Sequence, residues 1–112
     1  MILKIAILDY GVGNLYSLKS AIEKMNITPN IVDNVPNSSQ VDILILPGVG
    51  SFTPACDYLS SLKHDIFNLI NKGVRIFGIC LGLQLFFEKS EEGPGDGLGI
   101  FKGKIVRLPS NM

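Results

Sequence analysis

The sequence predicts an α/β fold in which a mostly parallel sheet carries helices on both faces. Nearly continuous apolar runs at residues 2–8 and 42–46 are typical of strands that are covered on both faces. Stretches with strand character then alternate with stretches of helical periodicity up to residue 90, which is the order expected of a parallel sheet with crossover helices. The length of 112 residues and the apolar fraction of 46% suit one small domain with its own core.

The first part of the chain contains three predicted strands and one predicted helix. The strands are the two apolar runs already named and the segment 30–33, which follows a proline. Apolar residues recur at helical spacing over residues 15–25, and Asn14 directly before them is a good N-cap. The polar segment 34–40 has the composition of a turn.

The remaining elements follow from the same patterns. They are helices at 53–62 and 64–72, a strand at 74–79, a helix at 81–89, a loop at 91–97 and two short strands within 98–108. Lys102 and Gly103 form a candidate tight turn between the last two strands.

The charge pattern argues against several classes of partner. Ten Lys and Arg residues balance ten Asp and Glu residues, and the basic residues are not clustered as they are in nucleic-acid-binding surfaces. The N-terminus lacks the regions of a signal peptide, and no apolar run reaches the roughly 18 residues of a membrane span. We therefore expect a soluble cytoplasmic protein that binds neither nucleic acid nor membranes.

Cys80 lies in the segment G-I-C-L-G, at the predicted transition from a strand to a helix. Such a turn displays its central side chain and brings backbone segments so close that only glycine fits, which would explain Gly78 and Gly82. The amides at the start of the following helix would favour the thiolate, the nucleophilic form of cysteine. The segment predicts a catalytic nucleophile, although a small residue in a tight turn gives the same pattern.

Two further loops follow predicted strands, so they should lie at the same edge of the sheet as Cys80. The P-G-V-G-S-F loop at 47–52 could aim backbone amides at an oxyanion, or it could simply lead into a helix. The G-V-G-N loop at 11–14 lacks the third glycine of a dinucleotide-binding turn, which favours a turn with an N-cap.

A nucleophilic cysteine needs a base, which is normally a histidine. The single histidine, His64, falls in a predicted surface helix, and we interpret it as a solvated residue. The second cysteine, Cys56, falls in a helical pattern without flanking glycines, and we expect both thiols to be reduced. These three residues lack the spacing of metal ligands, so we predict no metal and no other cofactor.

Taken together, the motifs resemble those of the class I, or triad, glutamine amidotransferases. The matching segments are I-L-D-Y-G-V-G-N-L-Y-S-L, P-G-V-G-S-F, C-L-G-L-Q-L-F-F-E, S-E-E-G and G-L-G-I-F-K-G-K-I-V-R-L. They follow one another along the whole chain and are most similar to the branch that serves imidazole glycerol phosphate synthase. The resemblance implies a flavodoxin-like or Rossmann-like three-layer fold, with residues 1–112 as the N-terminal part of a single amidotransferase domain.

The resemblance also implies a role for each matching residue. Cys80 would attack the side-chain amide of glutamine and form a glutamyl thioester. The other implied roles are the oxyanion hole (Gly48, Val49, Gly50, Leu81), the glutamine site (Gln84, Glu92, Gly82) and a partner-facing loop (Gly11, Gly13, Asn14). The partner would be a (β/α)8-barrel cyclase subunit, which uses the released ammonia in histidine biosynthesis.

The chain departs from the family pattern in one respect. Members of the family are considerably longer, and their later half carries a P-H-x-G-W-N segment and the His-x-Glu pair that completes a Cys-His-Glu triad. This chain ends at L-P-S-N-M. We therefore expect a catalytically incomplete N-terminal half with negligible glutamine turnover, whose open sheet edge favours self-association.

Other functions remain compatible with the sequence. The chain could serve another synthase, such as those of anthranilate or pyridoxal phosphate synthesis, although G-V-G-N and S-E-E-G favour the imidazole branch. It could also be a non-catalytic binding module that keeps the half-fold without the triad. A module that binds a nucleotide or a flavin is the least favoured, because the chain lacks a phosphate loop.

Overall fold

The structure is a computed structural model that describes residues 2–11 and 13–109. Its elements, in chain order, are β1 (Ile5–Leu8), α1 (Leu15–Glu23), β2 (Asn30–Val32), a short 3-10 helix (Ser38–Gln40), β3 (Ile43–Leu46), α2 (Phe52–Ser60), α3 (Lys63–Asn71), β4 (Arg75–Gly78), α4 (Leu81–Gln84), β5 (Lys89–Ser90) and β6 (Lys104–Ile105).

Four parallel strands form the main sheet in the order β2-β1-β3-β4. Ile7 of β1 pairs with Ile31 on one side and with Ile45 on the other, and Leu46 of β3 pairs with Gly78 of β4. Because the strands all run in the same direction, their carboxyl ends share one edge of the sheet. The predicted parallel sheet is confirmed.

The two faces of the sheet are covered by different helices. On one face, Leu15 and Ile22 of α1 pack against isoleucines of the central strands. On the other face, Phe52 of α2 and Ile66 of α3 belong to a larger core with Leu44 of β3. Side chains of a strand alternate between the faces, which is why the central strands need continuous apolar runs. The helix–sheet–helix layering is as predicted.

Strand β4 forms an edge of this sheet. Within the described residues it pairs only with β3, so one side of its backbone lacks a strand partner. Phe77 points to the same face as α1 and is 57% exposed, while its neighbour Ile76 is half-buried. Open apolar edges of this kind promote association between chains, and the self-association of this chain remains a prediction.

The helix predicted at 81–89 is wrong in length, because α4 ends at Gln84. The carbonyl of Leu85 accepts a hydrogen bond from the Leu98 N–H at 2.7 Å, and the carbonyl of Glu88 accepts one from the Gly97 N–H at 2.9 Å. In a longer helix, the Leu85 carbonyl would bond to a residue four positions later. Backbone pairing with the segment 97–101 therefore replaces the helical hydrogen bonds.

The two strands predicted within 98–108 are also wrong. Only Lys104–Ile105 is a strand in that segment, and it pairs in parallel with Lys89–Ser90 to form a second sheet. Lys102 and Gly103 consequently do not join two antiparallel strands. Residues 97–101 are held by the backbone of 85–88 instead, and the Phe101 N–H bonds to the Phe86 carbonyl at 3.0 Å.

Asn14 precedes α1 as predicted, but its side chain does not cap the helix. Its φ of 70° and ψ of 25° lie in the left-handed region, whereas a capping residue takes an extended backbone. Asparagine tolerates this left-handed conformation better than most residues.

Candidate active site

Loops that follow three of the parallel strands meet at the carboxyl edge of the main sheet. They comprise residues 9–11 and 13–14 after β1, 47–51 after β3 and 79–80 after β4. A cavity of about 270 Å³ is lined by residues of the first two loops, of α2 and by Leu81, the residue after Cys80 (Tyr10, Gly11, Val49, Gly50, Ser51, Pro54, Ala55, Tyr58, Leu81). The predicted convergence of the loops is confirmed.

Cys80 stands at the junction between β4 and α4. Sheet pairing continues to Ile79, whose N–H bonds to the Leu46 carbonyl at 3.0 Å. One residue later, the Cys80 carbonyl already accepts the first helical hydrogen bond from the Gln84 N–H at 3.1 Å. The change of direction falls on Cys80 itself, with a φ of 51° and a ψ of −113°. Non-glycine residues are rarely found there, and such strain is concentrated at functional sites.

The Cys80 side chain is a free, exposed thiol. This exposure fits a nucleophile on a sharp strand-to-helix turn better than a small residue that fills a buried turn. The one-turn helix α4 contributes less than the longer helix that the sequence predicts, because only part of a macrodipole develops over four residues.

The glycines beside Cys80 are required by close packing. A Cβ atom on Gly82 would lie 1.8 Å from the Leu46 carbonyl oxygen, and one on Gly78 would lie 2.8 Å from backbone atoms of Leu83. Real Cβ atoms do not approach backbone atoms so closely. The explanation predicted from the sequence for Gly78 and Gly82 is confirmed.

The predicted oxyanion-hole residues come from both sides of the cavity. Gly48, Val49 and Gly50 form the loop after β3, and Leu81 is the first residue of α4. The Leu81 N–H donates a hydrogen bond to the Gly48 carbonyl at 3.3 Å, so this amide has a partner within the protein. Gly48 has a φ of 147°, a conformation that L-residues rarely adopt.

Gln84 closes α4 and is half-buried. Its side-chain oxygen Oε1 is fully buried and has no hydrogen-bond partner among the described residues. A buried polar atom without a partner costs free energy, and such atoms often mark a site where a ligand binds. The position one turn after Cys80 makes Gln84 a candidate contact for a bound amide.

Glu92 is exposed in the turn that follows β5, where its N–H donates to the Ser90 Oγ at 3.1 Å. This turn is attached to the start of α2, because the Thr53 hydroxyl donates to the Pro94 carbonyl. Helix α2 begins directly after the 47–51 loop. The structure therefore brings the turn of Glu92 to the helix that follows the predicted oxyanion loop.

Gly11, Gly13 and Asn14 are exposed in the loop after β1. The Gly11 N–H donates to the Asp9 carboxylate at 3.2 Å, which bends the chain away from the strand. Gly11 also lines the cavity, so this loop joins the surface to the candidate site.

The remaining residues that could carry chemistry lie elsewhere. His64 is exposed on α3, as expected of a solvated histidine. Cys56 is buried in α2, where burial, assisted by the charges of Asp57 and Asp96, raises the pKa of its thiol to about 11. In the part of the chain that the structure describes, no three metal-ligating side chains form a cluster, and no helix is long and apolar enough to cross a membrane.

Three residues of the site were missed from the sequence. Tyr10 is buried, and its hydroxyl donates to the Pro47 carbonyl at the start of the 47–51 loop. Tyr58 lines the cavity from α2, and Thr53 anchors the turn of Glu92. A tyrosine two residues after an apolar strand was the available signal for Tyr10, because a buried hydroxyl needs a partner.

The sequence matches the family model described as glutamine amidotransferase class-I over residues 6–110. It is 47% identical over 108 residues to "Imidazole glycerol phosphate synthase subunit HisH" of Prochlorococcus marinus (strain NATL2A), covering 95% of this chain and 52% of that protein. Proteins of the same name from Trichodesmium erythraeum (strain IMS101) and Bacillus subtilis (strain 168) are 48% and 46% identical, covering 95% and 93% of this chain and 50% of each relative. The chain thus spans about half the length of these relatives. On the family match and this identity, the chain belongs to the class I glutamine amidotransferases.

Proposed function

We propose that the chain is the nucleophile-bearing part of a glutaminase that supplies ammonia to imidazole glycerol phosphate synthase in histidine biosynthesis. The observation that carries the proposal is the exposed Cys80 thiol on a strained strand-to-helix turn, beside a glycine-containing loop. Relatives named as subunits of that synthase support the choice of pathway.

The reaction would proceed through a thioester. The Cys80 thiolate attacks the side-chain amide carbon of glutamine, and the C–N bond breaks as the nitrogen takes a proton and leaves as ammonia. Water then cleaves the glutamyl thioester and gives glutamate and the free thiol. By the family pattern, a histidine and a glutamate from the part of the relatives that this chain does not match would transfer the protons.

Negative charge develops on the amide oxygen during the attack, and backbone N–H groups would stabilise it. Leu81 can donate its N–H only after the Gly48 carbonyl moves away from it. Rotation of the Gly48–Val49 peptide would release the Leu81 N–H and would also reorient the Val49 N–H. The amides of Leu81, Val49 and Gly50 are therefore proposed as an oxyanion hole that forms when this peptide rotates.

The glutamine substrate would lie between Cys80 and the end of α4. The buried Oε1 of Gln84 needs an N–H donor, which an amide or an amino group of glutamine provides. Gly82 is proposed to support the glutamine site by packing α4 tightly against β3 beside Cys80, because its neighbourhood does not admit a Cβ atom. Glu92 is proposed as a further contact for the amino group, since its carboxylate is exposed and accepts hydrogen bonds.

The exposed loop of Gly11, Gly13 and Asn14 is proposed to face the cyclase, a (β/α)8-barrel subunit. It lies at the same edge of the sheet as Cys80, which would keep the path of ammonia between the two subunits short. A cytoplasmic location belongs to the same proposal, because it is where such a biosynthetic complex would work.

A glutamine analogue that carries a diazoketone in place of the amide tests the proposal, because it alkylates a thiol that attacks the amide position. We expect mass spectrometry to find the label on Cys80 and not on the buried Cys56. Free glutamine should slow this labelling, while the same concentration of asparagine, whose side chain is one methylene shorter, should leave it unchanged.

The comparison with asparagine is needed because exposure alone makes Cys80 the more reactive thiol. Equal protection by glutamine and asparagine, or no protection by either, would contradict the proposal and favour a non-catalytic binding module. Cys80→Ser serves as the control for labelling at other sites.

A further inference from the structure

Tyr10 is an unusual member of the core, because it is a polar residue that is only 2% exposed. It follows β1 and packs within the larger apolar cluster of the domain. A buried phenol hydroxyl without a partner would be costly, and here it donates to the carbonyl oxygen of Pro47. The contact connects loops that are 37 positions apart in the sequence.

The carbonyl of Pro47 belongs to the peptide unit that also contains the nitrogen of Gly48. Because a peptide unit is planar, a hydrogen bond to the Pro47 oxygen fixes the orientation of the whole Pro47–Gly48 unit. The next unit, Gly48–Val49, carries the carbonyl that accepts the hydrogen bond from Leu81. Tyr10 thus holds one side of Gly48 through a side-chain hydrogen bond, while the other side is held by the longer hydrogen bond of 3.3 Å from Leu81.

The same residue also holds the loop after β1. Gly11 follows Tyr10 directly and lines the cavity with Val49 and Gly50. Burial raises the pKa of the Tyr10 hydroxyl above its usual range, so the group remains a proton donor throughout the neutral pH range. The loop after β1 and the loop after β3 therefore share one anchor.

We propose that Tyr10 is a positioning residue, whose hydroxyl fixes the Pro47–Gly48 peptide so that rotation is confined to the Gly48–Val49 peptide. As a role in catalysis, this rests on the proposed glutaminase function. Tyr10 does not contact the substrate in this scheme. It acts through Pro47 and Gly48 on the amides that would stabilise the oxyanion.

The test compares Tyr10→Phe with Tyr16→Phe in this chain. Tyr10→Phe keeps the buried ring and removes only the hydroxyl, whereas Tyr16→Phe removes a hydroxyl from an exposed tyrosine of α1 that does not line the cavity. Backbone NMR then reports the order of the loop without reference to catalysis. We expect the order parameter of the Gly48 amide to fall from about 0.85 to below about 0.6 in Tyr10→Phe only.

Chemical labelling gives the second readout. In Tyr10→Phe, we expect the diazoketone analogue to label Cys80 about tenfold more slowly, because loss of one hydrogen bond weakens the positioning of the loop. Alkylation by iodoacetamide should remain unchanged, since it does not need an oxyanion hole. Tyr16→Phe should leave both rates as they are.

Several results would overturn the proposal. An unchanged Gly48 order parameter in Tyr10→Phe would show that the hydroxyl does not fix the loop. Loss of order throughout the chain would show that the hydroxyl supports the core in general. A loss of order in Tyr10→Phe that is confined to the loop would support the structural role of the Tyr10 hydroxyl. If glutamine at the same time failed to slow labelling of the unchanged protein, the glutaminase function would be overturned and this structural role would stand.

Discussion

The backbone N–H of Leu81 donates to the carbonyl oxygen of Gly48, which joins the first residue of α4 to the loop after β3. This contact of 3.3 Å occupies an amide that the family resemblance assigns to the oxyanion hole. A weak hydrogen bond of this length is easily exchanged for a stronger one to a charged oxygen. Under the proposed function, this arrangement is a resting form that a bound, reacting glutamine would convert.

Replacing Gly82 by alanine should destabilise the fold. The added methyl group would lie 1.8 Å from the Leu46 carbonyl oxygen, so that β3 and α4 would have to separate. We expect a loss of about 3 kcal/mol in the free energy of unfolding, measured by urea denaturation. Gly13→Ala is the control, because a Cβ atom there meets nothing within 4 Å, and equal losses in the two variants would contradict the packing argument.

Replacing Gln84 by methionine should separate stability from ligand binding. The substitution removes a buried oxygen without a partner, so we expect a gain of about 1 kcal/mol in the free energy of unfolding. Glutamine should then no longer protect Cys80 from the diazoketone analogue. Leu83→Met, on the exposed side of the same helix, should change neither property. A destabilised Gln84→Met that still binds glutamine would contradict this role.

The parts of the fold that were predicted correctly depend on residues close together in the sequence. Strands β1 and β3 follow from their uninterrupted apolar runs, and the turn at Cys80 follows from the flanking glycines. These signals are local because a strand that is covered on both faces needs apolar side chains along its whole length.

The incorrect parts depend on contacts between distant residues. Helical periodicity continues after Gln84, but the backbone of residues 97–101 takes up the carbonyls that would extend α4. The hydroxyl of Tyr10 likewise finds its acceptor at Pro47, in another loop. Residue patterns within one segment do not specify a hydrogen-bond partner in another segment.

The buried thiol of Cys56 should make stability depend on pH in the alkaline range. Its pKa is raised from 9.0 to about 11 by burial first and by the neighbouring charges of Asp57 and Asp96 second. A raised pKa in the folded state means that the contribution to stability is complete below pH 9 and is lost as the pH rises towards 11.

The loss should be visible in urea denaturation curves measured between pH 8 and pH 11. Cys56→Ala lacks the thiol, so its stability should fall less over the same range. Subtracting the two curves removes the contributions of all other groups, because the two proteins share them. Parallel curves for the two proteins would show that the thiol is not desolvated in the folded state.

The exposed ring of Phe77 on the edge strand β4 should cause self-association. The ring is 57% exposed and adjoins backbone groups without a strand partner in the described residues. We expect sedimentation equilibrium to give an average mass above that of the monomer, and Phe77→Lys to weaken the association about tenfold. Tyr16→Lys on α1 removes an exposed aromatic ring away from this edge and should have no effect. A monomeric unchanged protein at high concentration would contradict the prediction.

Glutamine hydrolysis should require proton-transferring groups from outside these 112 residues. The chain contains one histidine, and this residue is exposed on α3, so we expect the chain alone to hydrolyse glutamine at a negligible rate. Mixing it with the later half of the Prochlorococcus marinus relative, which this chain does not match, should restore hydrolysis, measured as glutamate formed. The same mixture made with Cys80→Ser should remain inactive.

Two results would contradict this prediction. Hydrolysis by the chain alone at an ordinary enzymatic rate would show that a base within these residues serves Cys80. Activity of the Cys80→Ser mixture would show that another group is the nucleophile.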